Sequence, residues 1–291
     1  MMRHRLAVAA NILNKVDLPS ISTEVARLQD ESLKPDPDVI VITECINRNP
    51  KLLTKFLAVA TFVHQKQITS AREAVSLLGT KGVFSVFFSS AVEFSFQSLG
   101  DDALIVNHAI KIATAMGELA SFCETIESSD AYLFGLLFNV GYIVLNRYDP
   151  KSYKECYVAS LMHPSTAQEK ELEVYDTTSN YIGVYVAKKW RVKNSIYSAI
   201  LFQQDQVERC PKGENIAFEL VNLLNVARLI VAETEDENYV TEEIRSSAMV
   251  SMQRMQISNK EYIRSQRAVR KFTKDLESFP EDFLDSEVLE S

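Results

Sequence analysis

The stretch GLLFNVGYIVL, residues 135–145, is almost entirely apolar and holds one amide, Asn139, at its middle. It belongs to a longer segment, residues 130–147, that is apolar on every side, a pattern typical of a central buried helix. A buried amide that lacks a hydrogen-bond partner costs roughly 1–3 kcal/mol. We therefore expect one helix at the centre of the fold, with Asn139 in need of a polar partner inside it.

Helical spacing of apolar residues extends over nearly the whole chain. Ser70 with Glu73, and Ser258 with Glu261, have the spacing of capping boxes, in which a serine hydroxyl and a glutamate satisfy the first amides of a helix. Gly79 is predicted to end the first of these helices. Since the chain has only 8 glycines and 8 prolines and no convincing strand pattern, the sequence predicts an all-α fold.

One predicted helix, residues 102–124, carries an inward-facing histidine. His108 follows Ile105 by three residues and precedes Ile112 by four, so it shares their buried face. A hydrogen-bonded core histidine is the ordinary interpretation of this pattern, and contact with a ligand is the alternative. Asp102, at the start of the helix, is predicted to be a solvated cap.

Composition and charge exclude several classes of protein. A hydrophobic fraction of 46% and a charged fraction of 24% are typical of a soluble globular chain. The net charge of −8 argues against nucleic-acid binding, and the basic cluster KKWRVK, residues 188–193, is explained by the favourable position of cations at a helix end. Four separated cysteines without a C-x-x-C pair indicate reduced thiols rather than a zinc site.

The first 20 residues predict an amphipathic helix rather than a signal peptide, because Asn11, Asn14 and Lys15 interrupt their apolar run. The longest uncharged run, residues 131–146, is shorter than the roughly 18 apolar residues that a membrane span needs. We therefore predict a cytoplasmic protein with no membrane association and no nucleic-acid partner.

Five blocks in order resemble the HDOD family, a branch of the HD phosphohydrolase superfamily found in bacterial signalling proteins. The resemblance covers about residues 18–204 and implies an all-α, HD/HDOD-like multi-helix bundle. The blocks are LPSISTEVARL (18–28), ITECINRNPKLLTKFLAVA (42–60), ITSAREAVSLLGTKGV (68–83), GLLFNVGYIVL (135–145) and TTSNYIGVYVAKKWRV (177–192).

The resemblance also suggests how the chain is divided. We predict an N-terminal helix over residues 1–17 and an HDOD-like helical domain over residues 18–210. A helical extension over residues 211–279 is expected to pack on or beside that domain. Residues 280–291 are expected to form a flexible acidic tail.

The HD superfamily holds a divalent metal with an early His, an adjacent His-Asp pair and a later Asp, some members adding further histidines. The resemblance places these vestigial metal-site positions at His108, Phe138, Asn139, Asn180, Gln203 and Gln204. Only His108 keeps a ligand, because a phenyl ring cannot ligate and a neutral amide oxygen replaces a carboxylate poorly. We predict no metal, no cofactor and no catalytic residue.

A chain that keeps the helical core but loses the metal ligands is expected to work by binding. The resemblance implies a non-catalytic regulatory or signalling module that acts through protein–protein interaction, for example on a response regulator or a cyclic-dinucleotide enzyme. The alternative is a residual metal-dependent phosphohydrolase or nucleotide-binding domain, which would need acidic partners for His108 from elsewhere in the chain. The identity of the partner and the oligomeric state, a homo-oligomer included, stay open.

Overall fold

A computed structural model describes residues 2–16, 18, 22–97, 102–204, 215–235 and 239–277, and every regular element within them is helical. The all-α prediction is therefore confirmed. The predicted acidic tail (280–291), the predicted boundary at residue 210 and Cys210 lie outside the described residues. In chain order the helices are α1 (Met2–Leu13), α2 (Thr23–Ser32), α3 (Val39–Asn47), α4 (Pro50–His64), α5 (Ala71–Gln97), α6 (Ala103–Ala120), α7 (Ser128–Leu137), α8 (Val140–Tyr148), α9 (Tyr153–Met162), α10 (Pro164–Tyr175), α11 (Ser179–Lys189), α12 (Asn194–Phe202), α13 (Asn215–Glu235), α14 (Glu242–Met255) and α15 (Asn259–Glu277).

Helices α6 and α7 form the centre of the molecule, and both are buried along nearly their whole length. They approach so closely that a Cβ atom added at Gly135 would lie 2.5 Å from Cα of Ala113. Helix α13 packs on α6 and α12, and its apolar residues join the same hydrophobic core. The core thus runs from the first helices into α13, and the predicted domain boundaries remain a prediction.

The central helix predicted over residues 130–147 is broken, which corrects the sequence interpretation. Helix α7 ends at Leu137, α8 begins at Val140, and Phe138 and Asn139 lie at the break. Both helices are buried on all sides, as the apolar pattern predicts. Helix α8 packs on α11, where a Cβ atom at Gly141 would lie only 1.9 Å from the carbonyl oxygen of Ser179.

The predicted helix starts are present with differences in detail. Ser258 N–H donates to Glu261 (2.6 Å), and Glu261 N–H donates to Ser258 Oγ (3.4 Å), which is a reciprocal capping box. Glu73 N–H donates to Ser70 Oγ, but the Glu73 carboxylate accepts from Thr69 instead. Gly79 has a φ of 67° and a ψ of 170°, which are not helical, so the first helical part of α5 ends there as predicted and a second part begins beyond the kink.

Asp102 is not the solvated cap that the sequence suggested. Its carboxylate is 2% exposed, accepts a hydrogen bond from Asn146 Nδ2 (2.9 Å) and forms an ion pair with Arg147. Both partners come from the end of α8. The pair therefore fixes the start of α6 to the end of α8 and so helps to hold the central break in place.

Three segments are long and apolar enough to cross a membrane by length and composition: Ala71–Ser95, Ser128–Tyr148 and Asn215–Glu235. In the most apolar 18-residue stretch of each segment, 50%, 89% and 67% of the residues, respectively, are buried inside this fold. Internal packing thus uses much of their apolar surface. The cytoplasmic location remains a prediction.

Candidate functional site

All six predicted positions lie in one neighbourhood around the α7–α8 break. His108 on α6 faces Phe138, with 6.4 Å between the ring centroids. Gln203, which follows α12, donates from Nε2 to the Phe138 carbonyl oxygen (3.1 Å) and to Asn180 Oδ1 (2.9 Å). Gln204 Nε2 donates to the hydroxyl of Tyr142 on α8. The fold therefore assembles these positions from five helices and their ends.

The amides at these positions hold helices together. Gln203 and Asn180 are each 1% exposed, and Asn180 Nδ2 donates in turn to the carbonyl oxygen of Leu201 (3.1 Å). Their hydrogen bonds connect α12, α11 and the α7–α8 break. Each of these side chains is neutral, so the network supplies no acid or base and no anionic ligand for a metal.

His108 is hydrogen-bonded at the end of α13. Its Nδ1 lies 2.9 Å from Glu235 Oε2, and Lys111 Nζ lies 2.9 Å from Glu235 Oε1. Burial would raise the pKa of Glu235, but the hydrogen bonds and charges of His108 and Lys111 outweigh burial and lower that pKa to about 2. Glu235 is thus a carboxylate that accepts a hydrogen bond from His108 Nδ1.

Arg228 on α13 is a residue of this site that sequence reasoning missed. One guanidinium nitrogen donates to the Gln203 carbonyl oxygen (3.1 Å) and to Asn225 Oδ1 (3.3 Å). The guanidinium carbon lies 5.9 Å from the centroid of the Phe138 ring. Burial lowers the pKa of Arg228, and Tyr142 and Glu243 oppose that effect. The feature of the sequence that could have revealed Arg228 is its position as a lone cation within the apolar run NIAFELVNLLNVARLIV.

A small cavity of about 20 Å³ lies between these groups, with room for about one water-sized molecule. Asn139 Nδ2 lines it without a hydrogen-bond partner among the described residues, and Asn139 is 1% exposed. The cavity is therefore much too small for a nucleotide as it stands. Its walls are formed by His108, Phe138, Asn139, Tyr142, Ser160, Leu161, Arg228, Ala232, Glu235 and Tyr239.

A buried carboxylate lies behind the cavity wall. Glu171 on α10 is 1% exposed and accepts from Tyr153 Oη (2.7 Å), Ser179 N (2.8 Å) and Ser179 Oγ (2.9 Å). Burial raises the pKa of Glu171, and these hydrogen bonds oppose that effect without cancelling it. Because its oxygens are engaged by Tyr153 and Ser179, Glu171 holds α10 against α11 rather than facing the cavity.

The side chains around the cavity do not fit the metal that the HD superfamily implies. Among the described residues, no group of three or more His, Cys, Asp or Glu side chains is placed to hold a metal ion. Glu235 is an acidic partner for His108 of the kind that the alternative function requires. Its carboxylate, however, already binds Lys111, and Arg228 adds a second cation to the site. A divalent cation would be repelled by both.

Comparison with known proteins gives one family and several similar structures. The model of the HDOD domain family matches residues 18–206. No curated protein matches the chain. An HDOD domain protein of unknown function from Geobacter sulfurreducens is 18% identical, with 95% of this chain and 96% of that one covered and a TM-score of 0.62.

Two further structures carry functional names. A Shewanella amazonensis protein, named provisionally as a metal-dependent phosphohydrolase, is 15% identical with a TM-score of 0.65, and 93% of this chain and 98% of that one are covered. A Marinobacter aquaeolei protein, named provisionally as a signal transduction protein, is 17% identical with a TM-score of 0.60, and the coverage is 94% and 67%. At these identities the similarity shows a shared fold.

Proposed function

The chain belongs to the HDOD family, and from that membership we propose that it is a non-catalytic signalling module that acts by binding a protein partner. The name of the Marinobacter structure and the signalling role that the family resemblance implies both support this proposal. The proposal places the protein in the cytoplasm, with no nucleic-acid or membrane partner.

One observation supports the proposal above the others. Gln203 uses its side-chain amide to bond Asn180 and the backbone of Phe138, so three of the positions that the family resemblance assigns to a metal site hold one another. A side chain that serves as a metal ligand must keep a lone pair directed at the metal. The Nε2 group of Gln203 is used by these two hydrogen bonds, and its Oε1, which accepts none among the described residues, is a neutral amide oxygen that replaces an anionic metal ligand poorly.

The residual phosphohydrolase or nucleotide-binding domain is the second candidate. It is favoured by the His108–Glu235 pair beside the cavity and by the name of the Shewanella structure. It is opposed by the cations Lys111 and Arg228, which occupy the region where a divalent metal would need anionic ligands. The cavity of about 20 Å³ also leaves no room for a nucleotide.

Metal content and turnover, measured in the same preparation, test the proposal. We expect protein purified without chelators to contain substoichiometric Mn, Fe, Mg and Zn by mass spectrometry, and to leave a chromogenic phosphodiester intact. The matched control is His108→Ala in the same assay. Stoichiometric metal, together with hydrolysis that His108→Ala abolishes, would sink the non-catalytic proposal and favour the second candidate.

The partner is tested separately. Candidate partners are captured by affinity from a bacterial lysate. Each candidate complex is then reconstituted from purified proteins, and we expect a one-to-one or higher-order complex in sedimentation. Light scattering of the protein alone gives its own oligomeric state as the baseline. If no captured protein binds after purification, a role as a protein-binding module is contradicted.

A further inference from the structure

A cleft of about 430 Å³ opens where the end of α4, the kinked first half of α5, the end of α6 and the start of α7 meet. Cavities that bind small molecules have volumes of about 300–1,000 Å³, so this cleft has the size of a ligand site. It shares no lining residue with the small cavity at the α7–α8 break. The positions that the family resemblance assigns to a metal therefore play no part in it.

The first turn of α7 forms one wall of the cleft and presents hydrogen-bond donors to it. Helix α7 begins at Ser128, directly after Glu127, whose side chain makes no capping hydrogen bond. The N–H groups at the start of a helix have no acceptor within the helix, and those of Ser128 and Ser129 find none elsewhere in the described part of the chain. The helix dipole adds partial positive charge at this end, so the wall favours a negatively charged group.

Ser129 adds a side-chain donor at the same wall. The residue is only 5% exposed, yet its hydroxyl makes no hydrogen bond to any described residue. A Cβ atom added at Gly82 on α5 would lie 4.0 Å from Ser129 Oγ, so this hydroxyl points between the two helices that line the cleft. Nε2 of His64, another residue of the lining, is buried and likewise unpartnered among the described groups. One acceptor at the first turn of α7 would pair the hydroxyl and the free N–H groups together.

The cleft also carries a carboxylate. Glu127 is exposed, and its side chain forms no ion pair with the residues that the structure describes. Asp130, in the same turn of α7, is engaged by Lys193 and Ser85 instead. A simple anion at the start of α7 would be repelled by Glu127, whereas a ligand that carries a cation beside its anion would pair with it.

Apolar side chains form another part of the lining. Val63 comes from α4, and Leu77 and Leu78 come from α5 just before the kink at Gly79. Leu77 is 40% exposed, which is unusual for a large apolar side chain beside a cleft. An apolar group of a ligand would remove this surface from water, and the burial would favour binding.

We propose that this cleft binds a zwitterionic α-amino acid with a large apolar side chain. The carboxylate of the amino acid accepts hydrogen bonds from the Ser129 hydroxyl and from the N–H groups that begin α7, and its ammonium group pairs with Glu127. Its side chain covers Leu77 and Leu78. The inference goes beyond the proposed function, because amino-acid binding and partner binding can each hold without the other.

Calorimetric titration with L-phenylalanine and L-leucine, in the presence of EDTA, tests the inference. We expect saturable binding and an unfolding midpoint that rises by about 2–4 °C when the amino acid is at ten times its Kd. N-acetyl-L-phenylalanine lacks the ammonium group, L-phenylalanine amide lacks the carboxylate, and glycine lacks the side chain, so all three are expected to bind more weakly. EDTA removes metal-dependent effects, and this result therefore does not depend on the metal and turnover assays.

Two substitutions assign the charged groups of the ligand to residues of the cleft. Ser129→Ala is expected to weaken L-phenylalanine binding at least about tenfold and to leave binding of the amide unchanged. Glu127→Gln is expected to weaken L-phenylalanine binding by about two- to fivefold, because Glu127 is exposed, and to leave binding of the N-acetyl derivative unchanged. Glu124→Gln, at an exposed position in the same loop, is the matched control and should bind L-phenylalanine as the wild type does.

A third variant tests the backbone donors. Glu127 has a φ of −69° and a ψ of 130°, which suits a residue before proline, and proline is favoured at the first position of a helix. Ser128→Pro should therefore fold while it loses one N–H group, and it is expected to bind L-phenylalanine several-fold more weakly but the amide as before. If Ser129→Ala fails to fold by circular dichroism, Ser128→Pro decides the matter.

Three results would overturn the inference. The first is the lack of saturable binding of both amino acids. The second is binding of the amide or of the N-acetyl derivative that is as tight as that of L-phenylalanine, which would show that the charged groups do not contribute. The third is unchanged L-phenylalanine affinity in both α7 variants, Ser129→Ala and Ser128→Pro, which would place the ligand elsewhere. None of these results bears on whether the protein hydrolyses phosphodiesters or binds a partner.

Discussion

Gln203 donates a hydrogen bond from its side chain to the carbonyl oxygen of Phe138 (3.1 Å), and this bond joins α12 to the break between α7 and α8. The same nitrogen bonds Asn180 on α11. The backbone carbonyl of Gln203 accepts from Arg228 on α13. One residue thus connects the centre of the HDOD fold to the helix that follows the matched region.

Replacing Gln203 by leucine is expected to destabilise the protein by about 1–3 kcal/mol. The change strands the Phe138 carbonyl oxygen and Asn180 Oδ1 in a dry interior, and each loses its donor. Urea unfolding followed by circular dichroism measures the effect. Asn139→Leu is the matched control, because it also exchanges a buried amide for an apolar group.

The control has its own expected value. Asn139 Nδ2 has no partner among the described residues, so Asn139→Leu should change the free energy of unfolding by less than about 1 kcal/mol. A loss of stability as large as that of Gln203→Leu would instead show that Asn139 anchors a polar network.

Gly141→Ala is expected to be among the most destabilising single changes, by about 3 kcal/mol or more. The new Cβ atom would lie 1.9 Å from the carbonyl oxygen of Ser179, so α8 and α11 must separate. Gly82→Ala is the control, since its Cβ atom would lie 3.2 Å from Leu78 Cβ, a contact that a shift of a few tenths of an ångström relieves. Similar unfolding midpoints for the two variants would contradict the close packing of α8 on α11.

The Glu235 ion pairs predict a pH dependence with a definite sign. The pKa of Glu235 in the folded protein is lowered to about 2 from its usual value of 4.5. A lowered pKa stabilises the fold fully above pH 4.5, and this contribution disappears as the pH falls toward 2. The contribution of Glu235 to the difference in stability between wild type and Glu235→Gln should therefore shrink as the pH falls below 5. A difference that persists unchanged at pH 3 would contradict the assignment.

The sequence predicts the all-α class and the neighbourhood of the site, because apolar periodicity and the ordered blocks depend on local residue types. It does not predict the break at Phe138 and Asn139, since both residues suit a buried helix and both keep right-handed backbone angles at the break. Arg228 was missed for a related reason. Its role depends on α13 packing near α12, which no local pattern encodes.

Restoring the His-Asp pair alone is expected not to restore a metal site. In Phe138→His/Asn139→Asp the new carboxylate would face Arg228, and an ion pair between them would form in place of a metal complex. The remaining positions, Asn180 and Gln203, would still offer only amides that bond each other. Mass spectrometry after equilibration with Mn²⁺ should find no stoichiometric metal in the double variant.

Adding Arg228→Gln to the double variant gives the decisive comparison. Removal of the cation frees the new carboxylate, so the triple variant should retain more Mn²⁺ than the double variant, at the cost of the hydrogen bond to the Gln203 carbonyl. Equal, stoichiometric metal in the double and triple variants would show that Arg228 does not oppose a cation. In that case the absence of metal ligands at positions 138 and 139 would alone account for the lost chemistry.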